Sequence, residues 1–125
     1  MGEDIACEYL RDKKYKILNR NYRRPWGEID IIARAYNQTL VFVEVKTLHS
    51  TDDSKTQLVP EDNLTRDKLE KLHRTCTLYV GKYPEAVSEK KGWRLDLVAI
   101  SLNSTDDDDL PGKDKYSIRH YENIF

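Results

Sequence analysis

The sequence lacks three features that would place it in a membrane, secretory or disulfide-stabilised class. Its longest uninterrupted apolar runs are only a few residues, too short to span a bilayer. The charged start, with Glu3 and Asp4, has no apolar signal-peptide region. The two cysteines, Cys7 and Cys76, form no CxxC pair, so we expect buried thiols rather than a metal or catalytic centre. A reduced, cytoplasmic protein is expected.

Net charge is also nearly absent, since the formal value is −1 at pH 7. This value excludes a uniformly basic surface, but the charges are unevenly distributed. Seven basic residues and one acidic residue, Asp12, lie between Arg11 and Arg24, and an acidic run occupies 106–109. A nearly neutral chain can therefore carry one basic face.

The length of 125 residues fits a single domain over 1–125, and its apolar patterns predict the secondary structure. Helical spacing predicts helices over 3–14 and 65–80, the second with Thr65 as its N-cap. Apolar and β-branched stretches predict strands at 15–20, 29–35, 39–47, 93–102 and 116–121. Polar segments predict loops at 48–60 and 103–113. This order predicts an α/β fold with a mixed central sheet flanked by helices.

Acidic side chains lie inside the two clearest strands, where burial is costly. Because side chains alternate, Glu28 and Asp30 share one face of the first strand, and Glu44 and Lys46 share one face of the second. In a hairpin symmetric about Asn37, Asp30 lies opposite Glu44. By the same symmetry Glu28 lies opposite Lys46. Opposed carboxylates repel and raise each other's pKa, and a divalent cation with oxygen ligands would relieve the repulsion.

Two alternatives to a cation site remain for these residues. The charges could lie on the solvated face of an antiparallel sheet. A shift of one residue in the register would place them on opposite faces. The apolar stretch at 41–43 indicates burial on both faces and weakens the solvated alternative.

The acidic residues also form a familiar spacing, because Asp30 followed by Glu44-Val45-Lys46 resembles the PD-(D/E)XK signature of nucleases. More specific stretches follow one another in order at 2–6 (GEDIA), 20–23 (RNYR), 27–30 (GEID), 41–47 (VFVEVKT) and 118–123 (IRHYEN). Together they resemble the bacterial YraN-like family of predicted endonucleases, related in fold to archaeal Holliday-junction resolvases. The resemblance covers residues 2–125.

The resemblance implies a restriction-endonuclease-like fold and phosphodiester hydrolysis with Mg²⁺ or Mn²⁺ as cofactor. The implied metal ligands are the side chains of Asp30 and Glu44, the carbonyl of Val45 and, from the first helix, Glu3. Lys46 would orient the attacking water or stabilise charge on the phosphate. Glu28 would pair with Lys46 or support the ligands from outside, with a plain structural role as the alternative.

The basic stretch would then contact nucleic-acid phosphates through Lys13, Lys14, Lys16, Arg20, Arg23 and Arg24. A solvated basic edge is the alternative for this stretch. Tyr22 and Trp26 could stack on a base or pack within the fold. The basic residues of the second helix are expected on an ordinary solvated face. We expect His49 and His73 at the surface and His120 in a packing role.

Two functions of different classes follow from these residues. The first is a metal-dependent endonuclease acting on nucleic acid, with DNA preferred over RNA. Kinship with junction resolvases suggests branched or flapped DNA and a homodimer, by analogy alone. The second is a non-catalytic nucleic-acid-binding or scaffold domain that keeps the nuclease fold.

Overall fold

The computed structural model describes residues 2–50, 64–103 and 116–125, and leaves out the side chains of residues 49, 50 and 103. In these ranges the helices are α1 Gly2–Asp12 and α2 Arg66–Lys82, with a short 3-10 helix at Pro84–Ala86. The strands are β1 Lys16–Arg24, β2 Gly27–Arg34, β3 Leu40–Ser50, β4 Trp93–Asn103 and β5 Tyr116–Tyr121. None of the described helices is long and apolar enough to cross a membrane.

The predicted helices and strands are confirmed, with bounds within two residues of the prediction except at the ends of two strands. Strand β1 continues four residues beyond the predicted end, because Tyr22 is buried and pairs with Ile29 of β2. Strand β3 continues to Ser50, into the predicted loop, because it pairs with β4 along its whole length. The rest of that loop, and the predicted loop from residue 104 onward, lie outside the described residues. The 3-10 helix was not predicted.

The five strands form one mixed sheet in the order β1-β2-β3-β4-β5. Neighbouring strands are antiparallel except β3 and β4, which are parallel. A parallel pair needs a crossover connection, and α2 lies between β3 and β4 in the chain. The sheet with its flanking helices confirms the predicted α/β class and is consistent with a restriction-endonuclease-like architecture.

The helices cover opposite faces of the sheet and create two hydrophobic clusters. On the face of the sheet that α1 covers, called the α1 face, Ala6, Cys7 and Leu10 of the helix pack against strand residues. These strand residues are Ile31, Ala33, Val41, Val43, Val98 and Ile100. On the opposite face, called the α2 face, Leu72 and Cys76 of α2 pack against Ile32, Leu40, Phe42 and Leu95 of the sheet. The centre of β3 is therefore buried on both sides, as its apolar sequence predicted, and both cysteines are free, buried thiols.

Candidate active site

The register of the β2–β3 hairpin brings the predicted acidic residues together. The ladder pairs Arg34 with Leu40 and Ile31 with Val43, so the hairpin has the predicted symmetry. The same register continued by one residue places Asp30 opposite Glu44. The two carboxyl groups are close enough for Asp30 to raise the pKa of Glu44.

The paired ladder between β2 and β3 ends at this point. Its last pair is Ile31 with Val43, and Oδ2 of Asp30 accepts a hydrogen bond from the backbone N–H of Val45 at 2.8 Å. Beyond this point β2 remains paired with β1 as far as Gly27, and β3 remains paired with β4. The two central strands therefore separate into a fork, and the two carboxylates lie at its base.

The fork lies on the α2 face of the sheet. Side-chain alternation along β3 places Glu44 on the same face as Phe42, which packs in the α2 cluster. The charge of Glu44 also contributes to a raised pKa of the Cys76 thiol on α2, although burial is the main cause. The acidic pair thus faces the second helix rather than the first.

The electrostatic environment of Glu44 opposes its ionisation. Burial raises the pKa of Glu44 from 4.5 to about 8, and the neighbouring charge of Asp30 adds to the rise. The positive charge of Lys46 acts in the opposite direction and lowers the Glu44 pKa, while Glu28 raises it slightly. Two carboxylates forced together in this way bind either a shared proton or a cation.

A cleft of about 350 Å³ opens over Glu44 between the sheet and α2. Its lining consists of Arg24, Pro25, Gly27, Glu28, Glu44, Leu64, Lys68, Lys71, Leu72 and Thr75. Strand β2 approaches α2 so closely at Gly27 that any Cβ there would overlap the Thr75 hydroxyl. The cleft therefore has an acidic floor, with basic side chains on the walls.

The donor set at the fork fits a hard divalent cation. Mg²⁺ commonly takes one or two carboxylates and completes its shell with water and substrate phosphate. Asp30 and Glu44 supply two carboxylates, and the bond from the Val45 N–H to Asp30 fixes the neighbouring peptide relative to them. Among the described residues no group of three or more His, Cys, Asp or Glu side chains is arranged to hold a metal.

Among the described residues, the contact of Glu3 is with Arg20 and not with the acidic pair. Glu3 lies in the first turn of α1, and its Oε1 is 3.8 Å from the guanidinium of Arg20. The start of α1 approaches Thr47 of β3, since a Cβ on Gly2 would meet the Thr47 hydroxyl. The start of α1 therefore lies beside β1 and beside Val45 and Thr47 of β3.

Glu28 lines the cleft, but its described ion pair differs from the predicted one with Lys46. Its Oε1 lies 3.8 Å from Nε of Arg23, and both side chains are exposed. This pair lies directly across the β1–β2 ladder, where Arg23 is the register partner of Glu28. An exposed pair of this kind contributes little stability.

The six basic residues predicted to bind phosphates do not form one surface around the cleft. Lys16 begins β1, roughly 26 Å from Arg24 at ~3.3 Å per strand residue, and Lys13 and Lys14 precede it in the turn after α1. Arg20 is neutralised by Asp4 at 2.8 Å and by Glu3 at 3.8 Å. Arg23 pairs with Glu28. Of the six, Arg24 alone lines the cleft.

Two lysines that line the cleft were predicted to be ordinary solvated residues. Lys68 and Lys71 lie three apart on α2 and share a face with Leu72 and Thr75, which also line the cleft. Their spacing relative to the buried Leu72 was the available signal, because it places them at the edge of the apolar stripe. The balancing charges of Asp67 and Glu70 on the same helix obscured it.

A second polar cluster, which the sequence did not reveal, lies on the α1 face and centres on the fully buried Asp96 of β4. Its carboxylate accepts hydrogen bonds from Arg94 Nε at 2.9 Å and the Asn123 N–H at 2.9 Å, and its Oδ2 is 2.7 Å from His120 Nε2. The other ring nitrogen of His120 contacts the Tyr9 hydroxyl at 3.1 Å. Every acidic oxygen here has a partner, so the cluster joins α1, β4 and the C-terminal segment.

His120 therefore packs inside the fold through polar contacts with Asp96 and Tyr9. The alternation of Arg94 and Asp96 on one face of β4 was the only available signal. Of the other histidines, His73 is half-buried and stacks on Phe125, with ring centroids 3.6 Å apart. His49 has no described side chain.

Comparison with known proteins gives a family and relatives. The sequence profile of the uncharacterised protein family UPF0102 matches residues 2–100. A UPF0102 protein of Clostridium botulinum (strain Loch Maree / Type A3) is 35% identical over 124 residues, covering 99% of this chain and 89% of the relative. A UPF0102 protein of Persephonella marina is 40% identical over 103 residues, 82% of each chain. These names describe a family and state no activity.

Proposed function

This chain belongs to the uncharacterised protein family UPF0102, the YraN-like family that its motifs predicted, and we propose that it is a metal-dependent endonuclease. It hydrolyses phosphodiester bonds of nucleic acid, preferring DNA to RNA, with Mg²⁺ or Mn²⁺ as cofactor. One observation carries the proposal: Asp30 and Glu44 are neighbours at the base of a fork in the sheet, and Glu44 lines a cleft with basic walls.

The side chains of Asp30 and Glu44 and the carbonyl of Val45 hold the metal ion in this proposal. When bound, the ion activates a water molecule and neutralises the phosphoryl oxygens. The hydrogen bond between Asp30 and the Val45 N–H keeps the three groups in a fixed relation, since it ties β2 to β3 where the ladder ends. A site built on two strands is held more rigidly than one built on loops.

Lys46 stabilises the negative charge that develops on the phosphate. Side-chain alternation places it on the same face as Glu44, and its charge is close enough to lower the Glu44 pKa. Lys46 is half-buried, and a positive charge at such a position stabilises a transition state more strongly than it would in water. Glu28 contributes negative charge to the lining of the cleft and pairs with Arg23.

A second function is favoured by a specific observation. Among the described residues, no third acidic or histidine ligand joins Asp30 and Glu44. A chain with only this pair could bind nucleic acid through the basic walls of the cleft without cutting it. The second candidate is therefore a non-catalytic nucleic-acid-binding domain with the same fold.

A cleavage assay separates the two functions. The substrates are single-stranded, duplex, flapped, forked and four-way DNA, together with RNA, each with Mg²⁺ or Mn²⁺. Asp30→Ala protein purified in parallel detects contaminating nuclease, and Glu8→Gln serves as a control because Glu8 is an exposed acid on α1. Metal-dependent cutting by the wild type and by Glu8→Gln, lost in Asp30→Ala, supports the endonuclease.

Thermal unfolding supplies a readout that does not depend on turnover. A ligand that binds only the folded state stabilises it by about 2.7 kcal/mol at a hundred times its Kd. We expect millimolar Mn²⁺ to raise the wild-type Tm, and Asp30→Asn to lose most of that rise. A wild-type Tm that does not change with Mn²⁺ would contradict the metal site. Substrate that stays intact under every condition would favour the non-catalytic binding domain.

A further inference from the structure

The cleft over Glu44 has two basic walls built by different elements. Lys68 and Lys71 project from α2, and Arg24 lies at the end of β1 on the opposite side. Among the described residues neither lysine has a carboxylate within ion-pair distance, whereas Arg66 on the same helix pairs with Glu70 at 3.4 Å. Within the described part of the chain, the charges of these two lysines are therefore not neutralised by an acidic side chain.

Arg24 is held in place before any ligand arrives. Its guanidinium lies 4.2 Å from the centroid of the Tyr22 ring, and its NH1 donates a hydrogen bond to the Arg23 carbonyl at 2.6 Å. A guanidinium fixed in this way loses little side-chain entropy on binding phosphate, so the charge is well suited to positioning.

The cationic walls run beside the acidic floor. Lys68 and Lys71 lie ~4.5 Å apart along the axis of α2, at ~1.5 Å per residue. A chain of phosphates entering the cleft would meet these lysines on one side and Arg24 on the other, with one phosphate above Glu44. Phosphates next to that one would then be held by side chains that take no part in the chemistry.

The size of the cleft limits what can enter it. A volume of about 350 Å³ lies at the low end of the range for small-ligand pockets. A cleft of this volume does not enclose a duplex, whose major groove alone is about 12 Å wide. One strand of nucleic acid with its bases turned outward can enter the cleft, provided that it is not paired at that point.

The turn that forms one wall also carries an exposed aromatic side chain. Trp26 lies between Pro25 and Gly27, which both line the cleft, and the residue is 45% exposed. Exposed aromatic rings beside a basic groove are the usual platforms on which single-stranded bases stack. A paired and stacked base could not reach Trp26 in this way.

We propose that Arg24, Lys68 and Lys71 bind the phosphates of an unpaired strand and that Trp26 stacks on one of its bases. The protein thereby selects single-stranded or locally opened DNA over continuous duplex. The proposal rests on the proposed function for the location of the cut, directly above Glu44. Binding itself requires neither metal nor cleavage, so the two can be tested separately.

The test measures binding in EDTA by fluorescence anisotropy with labelled DNA. The probes are a single strand, the same strand in a continuous duplex, and a duplex interrupted by a short unpaired gap. The variants are Lys68→Glu/Lys71→Glu and Trp26→Ala. The matched control is Lys90→Glu/Lys91→Glu, which carries the same charge change on exposed lysines that do not line the cleft.

We expect the wild type and the control to bind the single strand and the gapped duplex at least tenfold more tightly than continuous duplex. Lys68→Glu/Lys71→Glu weakens single-strand binding at least tenfold and lowers the slope of log K against log salt by roughly 1.4, or ~0.7 per lost phosphate contact. Trp26→Ala weakens binding roughly 5- to 150-fold, the range for loss of one stacked base, and leaves the salt slope unchanged.

Equal affinity for duplex and single strand would overturn the strand preference. If the two lysine changes leave the single-strand affinity and the salt slope unaffected, the proposed binding site is wrong. The same conclusion follows if the wild-type protein binds none of the probes. If the charge reversal prevents folding, as judged by circular dichroism, Lys68→Gln/Lys71→Gln takes its place. Binding as expected without cleavage in Mg²⁺ or Mn²⁺ would support this proposal and reject the endonuclease.

Discussion

The carboxylate of Asp30 accepts a hydrogen bond from the backbone N–H of Val45 across the fork, at 2.8 Å. In a regular ladder a backbone carbonyl of the neighbouring strand would take this N–H. The side chain replaces it, so β2 and β3 can separate without leaving a buried donor unsatisfied. This explains why an acidic residue lies inside an apolar strand, and it places that residue beside Glu44.

The first prediction concerns the pH dependence of the metal-free protein. The Glu44 pKa is raised from 4.5 to about 8 in the folded state by burial and by Asp30. The folded state therefore binds this proton more tightly than the unfolded state. This stabilisation is fully present below pH 4.5 and is lost as the pH rises towards 8. We expect the free energy of unfolding to fall by about 2 kcal/mol between pH 6 and pH 8.

Urea unfolding with a chelator present measures this fall. Glu44→Gln cannot titrate and should lose the pH dependence, while Glu8→Gln should behave as the wild type does. The same slope in Glu44→Gln as in the wild type would mean that another group is responsible.

The second prediction concerns Lys46. Its removal in Lys46→Met takes away the charge that stabilises the phosphate, and we expect cleavage to slow by roughly 10²- to 10³-fold. The acidic pair is retained, so Mn²⁺ should still raise the Tm. The Glu44 pKa should rise further because Lys46 lowers it, so the Tm is best measured above pH 8. Lys90→Met supplies the control, and unimpaired cleavage by Lys46→Met would contradict the role.

The third prediction concerns the buried cluster around Asp96. Burial alone would raise the Asp96 pKa, but hydrogen bonds from His120, Arg94 and the Asn123 N–H outweigh it and hold the pKa below 3.8. Asp96→Ala leaves Arg94 and His120 without their acceptor, and we expect it to cost about 3–5 kcal/mol in the free energy of unfolding at pH 7.

Asp4→Ala is the matched control for this change, since it removes an acid whose ion pair with Arg20 is exposed. Urea unfolding should give it nearly the wild-type midpoint. Because a lowered pKa stabilises the folded state only above the unfolded value, the difference between Asp96→Ala and the wild type should shrink as the pH falls below 3.8. If Asp96→Ala and Asp4→Ala lose a similar amount of unfolding free energy at pH 7, the buried cluster stabilises the fold no more than an exposed ion pair does.

The fourth prediction tests the contact that shapes the cleft. A methyl group in Gly27→Ala would overlap the Thr75 hydroxyl, so α2 must move, at an expected cost of about 1–3 kcal/mol. Adding Thr75→Ala removes the overlapping hydroxyl and should recover most of the loss. Gly81→Ala on the same helix has open space and should stabilise the protein by up to ~1 kcal/mol. Thermal unfolding of the wild type, Gly27→Ala, Thr75→Ala and the double variant completes the cycle, and additive effects in the double variant would contradict the contact.

Local sequence patterns determined the elements and the hairpin. The apolar stripe at Leu69, Leu72, Cys76 and Tyr79 faces the core as predicted, and the Thr65 hydroxyl accepts a hydrogen bond from the Lys68 N–H at 3.2 Å. The symmetry about Asn37 is present in the β2–β3 register. These features depend on the periodicity of burial and on capping within one or two turns, so the residues themselves specify them.

The tertiary structure decided where the ladder ends and which charges meet. No local pattern shows that β2 and β3 separate after the Ile31–Val43 pair, because the side chain of Asp30 competes with the backbone for the Val45 N–H only in the folded hairpin. Likewise, Arg20 and Arg23 are paired while Lys68 and Lys71 face the cleft.

The physical reason is that a charge's role depends on what lies opposite it. Spacing along the chain places a side chain on a face of its own element, and it does so reliably for Glu44 and for Leu72. It does not specify which element covers that face, how closely Gly27 allows α2 to approach, or that Asp96 meets His120 from a strand that follows it in the chain. Those relations arise when the sheet and its helices pack.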